Sequence, residues 1–360
     1  MGDALLAIGL ADSVFFSVSA DQAKVRVAAY LLLTMAPLAA AAPLLSRVLD
    51  RGGFRRVVTF GAAAARCVVA ALLAGRTETW LLFPYAFLAL VMARVHLVSK
   101  NALTAAYAGR VGLVKENALL SRTAAVSGTL AAIPGVLAAK IGGPPAVIAM
   151  AAVAYAGCAL LSLRLPAAPE PRRPEGEEVP PLGPEVRAVG GGMVGIRGAT
   201  GFLVLLIAFT LRRIDRPSYW LAVLIGMLAL GTFLGSFIAP RLTHLARERT
   251  IMLVSLAAMA AGAILAAMQL ELVSLAFFTL LTGAAGETAR LAFQSLLQTE
   301  AGPGGEGKAF VGYEVRFQLA WVAGAFLPAM LPIDFRLGLL VLAALYGGVA
   351  VWVRMRVPAS

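Results

Sequence analysis

Long apolar stretches separated by short polar ones recur along this chain from one end to the other. Read in windows of about 19 residues, they give spans at 3–19, 27–46, 56–75, 80–100, 117–139, 144–164, 190–211, 218–239, 251–269, 272–295, 309–331 and 335–353. Each is continuously apolar and rich in Ala and Leu. None alternates with period two, so they read as helices rather than barrel strands. At 1.5 Å per residue, about 20 residues match the ~30 Å hydrocarbon core of a bilayer. The expected fold class is an all-α membrane protein of twelve transmembrane helices.

Composition strengthens this reading. Of 360 residues, 60% are hydrophobic and only 14% charged, with a mean hydropathy of +0.85; a soluble domain carries about a quarter charged residues. Lipid must be the solvent for most of the chain. The two cysteines, Cys67 and Cys158, sit inside apolar runs, and His96 and His244 lie far apart, so neither a metal site nor a cofactor is expected. HExxH and GxSxG are absent, which leaves no case for an enzyme. The stretch Gly302-Pro-Gly-Gly-Glu-Gly307-Lys308-Ala309 lacks the Ser/Thr of a P-loop and follows no strand, so direct drive by ATP is not expected. The opening residues carry no basic region before an apolar one, and no cleaved signal peptide is expected.

The formal net charge of +12 does not indicate a nucleic-acid partner, because the basic residues sit in short segments between spans. With both termini in the cytoplasm, most of the 31 Lys and Arg fall on the cytoplasmic side, as the positive-inside rule requires of a protein in the cell membrane. Arg212, Arg213 and Arg216 fall on the other side. The segment 166–187, rich in Pro, Glu and Arg, has almost nothing to bury and reads as a flexible linker. It divides the chain into an N-terminal six-helix half (1–165), a cytoplasmic linker (166–189) and a C-terminal six-helix half (190–360). Weak internal matches pair Asn101 with Gln294 and Pro134 with Pro328 at a nearly constant offset. Duplicated halves place a binding site between them near the midplane.

After the second span runs Ser46-Arg-Val-Leu-Asp50-Arg51-Gly-Gly-Phe-Arg55-Arg56. It resembles the Gly-x-x-x-Asp-Arg-x-Gly-Arg-Arg signature of the major facilitator superfamily, with Ser46 replacing the first glycine and one extra residue before the arginine pair. The stretches around Asn117-Ala-Leu-Leu-Ser-Arg122 and Tyr313-Glu-Val-Arg-Phe-Gln318 resemble actinobacterial permeases of the drug-efflux-like branch. The resemblance implies two pseudo-symmetric six-helix halves, a monomer, and a central cavity lined by spans one, four, seven and ten. Asp50 with Arg51, Arg55 and Arg56 forms a candidate cytoplasmic gating loop, since a carboxylate facing guanidinium groups makes a polar latch. The same arginines also serve as topology determinants.

Ionisable residues inside spans are costly and need a partner or a cavity. Asp12, Arg66, Arg94, His96, Glu287, Arg290 and Glu314 qualify. Asp12, Arg94, Glu287, Arg290 and Glu314 are the candidate proton-coupling or substrate-cavity residues. Asp12 reads as mid-span with no cation nearby in sequence. Arg94 and Glu287 share the repeat offset and could face each other, or Arg94 could snorkel. Glu287 and Arg290, at i and i+3, could instead neutralise one another. Arg66 could partner another helix, and His96, a turn from Lys100, could sit at the interface. Gly231 and Gly235 form a GxxxG that suits close helix packing; the glycines from 190 to 201 either loosen span seven for motion or only weaken its helix.

These features lead to a secondary active transporter working by alternating access, exporting small amphipathic or drug-like molecules in exchange for protons. Uptake or lipid transport on the same fold, and a non-transporting sensor or assembly factor, are the alternatives. The expected partners are the lipid bilayer, a small-molecule substrate and protons.

Overall fold

The computed structural model describes residues 1–15, 55–77, 81–108, 113–166, 181–213, 219–301, 306–331 and 333–356. Among them the secondary structure is helical throughout: α1 (Gly2–Phe15), α2 (Arg55–Ala74), α3 (Leu82–Ala108), α4 (Leu113–Ser162), α5 (Pro184–Arg213), α6 (Tyr219–Leu242), α7 (Glu248–Met268), α8 (Leu272–Glu300), α9 (Glu306–Met330) and α10 (Phe335–Arg356). Eight of these are long and apolar enough to cross a bilayer. The chain is an all-α integral membrane protein. The expected span 27–46 lies outside the described residues, as do Asp50 and Arg51 of the gating loop.

Two boundaries differ from the sequence reading. Spans five and six are joined in the single run α4, kinked at Gly143, whose φ of 65° breaks the helical geometry. A straight helix of 50 residues would extend about 75 Å, more than twice the bilayer core. Glycine enters the left-handed region without a Cβ penalty, and Pro144 and Pro145 follow where a new helix begins and lacks hydrogen-bond acceptors for its first N–H groups anyway. The second difference is the start of span seven, expected at 190. Helix α5 starts at Pro184, with proline in the first turn and Glu185 favouring the positive end of the helix dipole.

The chain forms two compact units. The first gathers 1–109, 122–178 and 303–312; the second gathers 110–121, 179–302 and 313–360. In the first, Leu5, Leu6, Val69, Leu73, Val147, Ile148 and Tyr155 share one buried core. Helix α1 comes close to α4 because Gly2 and Gly9, two turns apart, leave room for the Tyr155 ring and the Ile148 side chain.

In the second unit, glycine notches set the crossings. A methyl group on Gly231 would run into the Leu280 carbonyl, and one on Gly283 into the Leu228 carbonyl. Helices α6 and α8 therefore touch backbone to backbone, the close approach that small residues permit in membranes. Helix α5 meets α9 in the same way: Gly201 lies against the Trp321 carbonyl and Gly324 against that of Gly198. Farther up α5, Gly190 accommodates Tyr313, Gly191 Trp352 and Gly195 Val349. The glycines of this span are packing notches for α9 and α10.

Candidate functional site

The second unit holds a buried charge network on α8. Glu287 and Arg290 stand one turn apart, so their side chains lie on the same face. Arg290 donates from Nε to Glu287 Oε2 at 2.8 Å and from Nη2 to Glu287 Oε1 at 2.6 Å. This is the two-pronged charge-assisted pair that suits guanidinium and carboxylate. The Glu287 side chain is only 4% exposed, which places the pair in a medium where an unpartnered charge is expensive.

Neighbours complete the coordination. Ser121 Oγ, on the part of α4 that belongs to this unit, donates to Glu287 Oε1 at 2.6 Å. Arg290 Nη1 donates to Gln294 Oε1 at 3.0 Å, and Nη2 reaches Ser121 Oγ at 3.4 Å. One turn before Ser121, the buried Asn117 donates to Gln298 Oε1 at 2.8 Å. Asn117 and Ser121 thus work as an i, i+4 pair, both reaching α8. Two further charges lie within electrostatic reach: Arg197 of α5 acts on Glu287 and Glu314 of α9 on Arg290. The Arg197 guanidinium lies 5.9 Å from the Phe317 ring centre, and Phe293 packs edge-to-face on Phe317 and Tyr313.

A second polar cluster lies in the first unit. The buried Arg66 forms an ion pair with Asp3 and donates from Nη2 to the Tyr155 hydroxyl at 2.7 Å. That hydroxyl donates in turn to Asp3 Oδ1 at 3.0 Å. The guanidinium carbon sits 4.0 Å over the Tyr155 ring centre, a cation–π contact. Buried Thr59 and Ser99 share a hydroxyl hydrogen bond between α2 and α3.

The residues singled out in the sequence divide accordingly. Glu287, Arg290 and Glu314 belong to the α8-centred network. Arg94 is half-buried on α3 in the first unit. Asp12 lies in α1, where only its backbone is described. Because Gly9 is level with Ile148 and the Pro144 carbonyl, the next turn of α1 puts Asp12 near the level of the Gly143 kink. Of the gating loop, Arg55 opens α2 with only its backbone described, and Arg56 donates to the Leu163 carbonyl at the end of α4. His96 is half-buried, and its Nδ1 has no hydrogen-bond partner among the described residues.

Sequence reasoning missed Asp3, Tyr155 and Arg197. Asp3 stands too near the first residue to register as an intramembrane charge, and Tyr155 is one polar atom in an apolar run. Arg197 reads as a cytoplasmic end residue when the helix is started at 190 rather than at Pro184.

No family model matches the chain. The uncharacterized protein ML2143 of Mycobacterium leprae is 27% identical over 390 aligned residues, covering 95% of this chain and 67% of the relative. The uncharacterized protein Rv0876c of Mycobacterium tuberculosis is 30% identical over 287 residues, covering 67% of this chain and 51% of the relative. The chain spans about half the length of that second relative. Similarity in structure extends further. The human organic anion transporter MFSD10 (TETRAN) matches 98% of this chain and 83% of its own, with a TM-score of 0.73 at 16% identity. The Escherichia coli fucose:proton symporter FucP matches 99% of this chain and 95% of its own at a TM-score of 0.73 and 11% identity. The major facilitator superfamily proton:xylose symporter XylE matches 97% and 92% at 0.74 and 11%. The chain shares the fold of these solved transporters. Identities this low carry the fold alone; what a given side chain does must be argued from its own surroundings.

Proposed function

We propose that the chain is a secondary active transporter of the major facilitator superfamily, built of twelve spans in two six-helix halves and working by alternating access in the cell membrane. In this reading both termini are cytoplasmic, the protein acts as a monomer, and it exports small amphipathic molecules in exchange for protons. The observation that carries the proposal is the Glu287–Arg290 pair, buried in a membrane span within a fold whose solved representatives are transporters. A closed ion pair of this kind is bistable. Protonating Glu287 removes its charge and frees Arg290, so proton arrival can bias which packing of the helices is favoured. Ser121 and Gln294 hold the paired state; Arg197 and Glu314 offer replacement partners once it opens.

Asp12 and Arg94 complete the proposed coupling and cavity set, and Asp50, Arg51, Arg55 and Arg56 the proposed cytoplasmic latch. Export rests on the sequence resemblance to drug-efflux-like permeases. Uptake by symport is the second reading, favoured by the two proton symporters among the similar structures.

The experiment is proton flux in proteoliposomes under an imposed gradient, with a panel of lipophilic cations, neutral drugs and sugars. Compound-dependent flux is expected in the wild-type protein and a loss of at least about tenfold in Glu287→Gln, the scale on which a lost proton-transfer group acts. Equal flux in that variant at equal membrane abundance excludes Glu287 as the coupling group.

A further inference from the structure

We infer that each unit is fastened by the same device: an arginine in the first turn of one helix donates to the carbonyl left open where a proline stops another. Arg56 and Arg249 are the two arginines, and Leu163 and Arg354 carry the two carbonyls. Each clamp lies within one unit, and the inference stands without transport or proton coupling.

The device is written twice in the sequence. The end of α4 leads into Arg164-Leu-Pro166 and that of α10 into Arg356-Val-Pro358, with arginine on arginine and proline on proline at one offset. Arg56 and Arg249 stand at an offset one residue longer, the one that pairs Asn101 with Gln294, and each is the second residue of its helix. An arginine is out of place there on its own account, because the first turn carries the positive end of the helix dipole. The gain lies at a neighbouring C-terminus, where the last carbonyls lack intrahelical donors and a cation is favoured.

Proline explains why those carbonyls are open. It has no N–H, so Pro358 cannot donate to the Arg354 carbonyl one helical turn earlier, and Arg249 Nη2 does so instead at 2.9 Å. At α4, Pro166 withholds the same bond from Ser162. There the chain tightens into i→i+3 bonds, and the Leu165 N–H donates to the Ser162 carbonyl at 3.4 Å. The next carbonyl, that of Leu163, takes its bond from Arg56. The Pro166 carbonyl accepts from the Tyr107 hydroxyl, at the end of α3, at 2.7 Å. Both arginine bonds are charge-assisted, and each ties the start of one helix to the end of another. Arg56 thereby has a task inside its own unit, whatever the loop before it does.

The test is amide hydrogen exchange of the purified full chain in detergent, read by mass spectrometry at the two helix ends. Arg56→Met should speed exchange at Leu163, Arg164 and Leu165 about tenfold, the scale of one lost hydrogen bond from a charged group. It should leave the end of α10 unchanged. Arg249→Met should do the reverse, speeding exchange over the last turn of α10 by a similar factor and sparing α4. Adding Pro358→Ala to Arg249→Met offers the Arg354 carbonyl a helical donor and should restore most of the lost protection. The proposal is overturned if either single variant leaves its own helix end unchanged, if either loosens both ends alike, or if Pro358→Ala rescues nothing.

Discussion

Two arginines, the buried Arg66 and the part-buried Arg290, solve one electrostatic problem in opposite ways. Arg290 takes its counter-ion from its own helix, one turn away, and Ser121 and Gln294 complete a network in which the carboxylate is the buried member and the cation the part-exposed one. Arg66 takes its counter-ion from α1 and its stacking partner from α4, and that counter-ion is exposed while the cation is buried. The first arrangement is assembled as soon as α8 forms and stays closed while the helices around it stay packed. The second exists only when three helices meet. A local pair survives any repacking that keeps its helix, whereas a pair spread over three helices reports on how they are packed.

The largest expected effect tests the enclosed pair. Glu287→Ala leaves Arg290 charged without its main acceptor; removing one member of a buried pair costs about 3–5 kcal/mol, and with the arginine side chain 23% exposed the loss should lie near the lower end, about 3 kcal/mol. Removing both charges with Glu287→Ala/Arg290→Met should restore most of that loss, since a buried pair is often replaceable by apolar side chains. Unfolding in mixed micelles measures both. A double variant no more stable than the single one would mean that Glu287 stabilises the unit through something other than Arg290.

The same contrast explains what could be read from the sequence. Residues at i and i+3 meet on a helix whatever surrounds it, so the Glu287–Arg290 pair is legible from spacing alone. Asp3, Arg66 and Tyr155 share no local spacing; only the packing of α1 against α4, set by Gly2 and Gly9, brings them together. The spans themselves follow from hydropathy because a bilayer imposes it along the whole chain. The joint between spans five and six is visible as Gly142-Gly143-Pro144-Pro145, but its backbone geometry is not. Arg197 is misplaced for a related reason: Pro184 starts α5 within a segment whose composition reads as linker. Asn117 and Ser121 stand in a stretch that carries a family resemblance, while their partners Gln298 and Glu287 can be assigned only in three dimensions.

A smaller effect tests whether the second unit is as rigid as its closed network implies. Gly283 of α8 lies so close to the Leu228 carbonyl that a methyl group has no space. Gly283→Ala must push α6 and α8 apart, at about 1–3 kcal/mol for an overpacked contact. At Gly61 of α2, in the first unit, an added methyl group would meet nothing within 4 Å. Gly61→Ala should therefore be neutral or slightly stabilising through better helix propensity. Thermal unfolding of the two variants side by side checks this. Equal destabilisation would show that glycine is needed in these helices for flexibility rather than for close approach.

The smallest effect separates the two sites most sharply. Tyr155→Phe keeps the ring under Arg66, so the stacking contact survives. It removes one hydroxyl that accepts from Arg66 and donates to Asp3. The ion pair between those two residues is direct and needs no bridge, so the loss should stay near ~1 kcal/mol, that of an ordinary hydrogen bond. Unfolding free energies compared across Tyr155→Phe, Asp3→Asn and their double variant decide the point. If the hydroxyl acts mainly by holding Asp3 in place, the two substitutions are coupled, and the second costs less once the first is made. If they add independently, Tyr155 stabilises Arg66 on its own, and Asp3 is held by the guanidinium alone. The second result would put the whole α1 contact on the direct ion pair, whereas the α8 pair shares its load with Ser121 and Gln294.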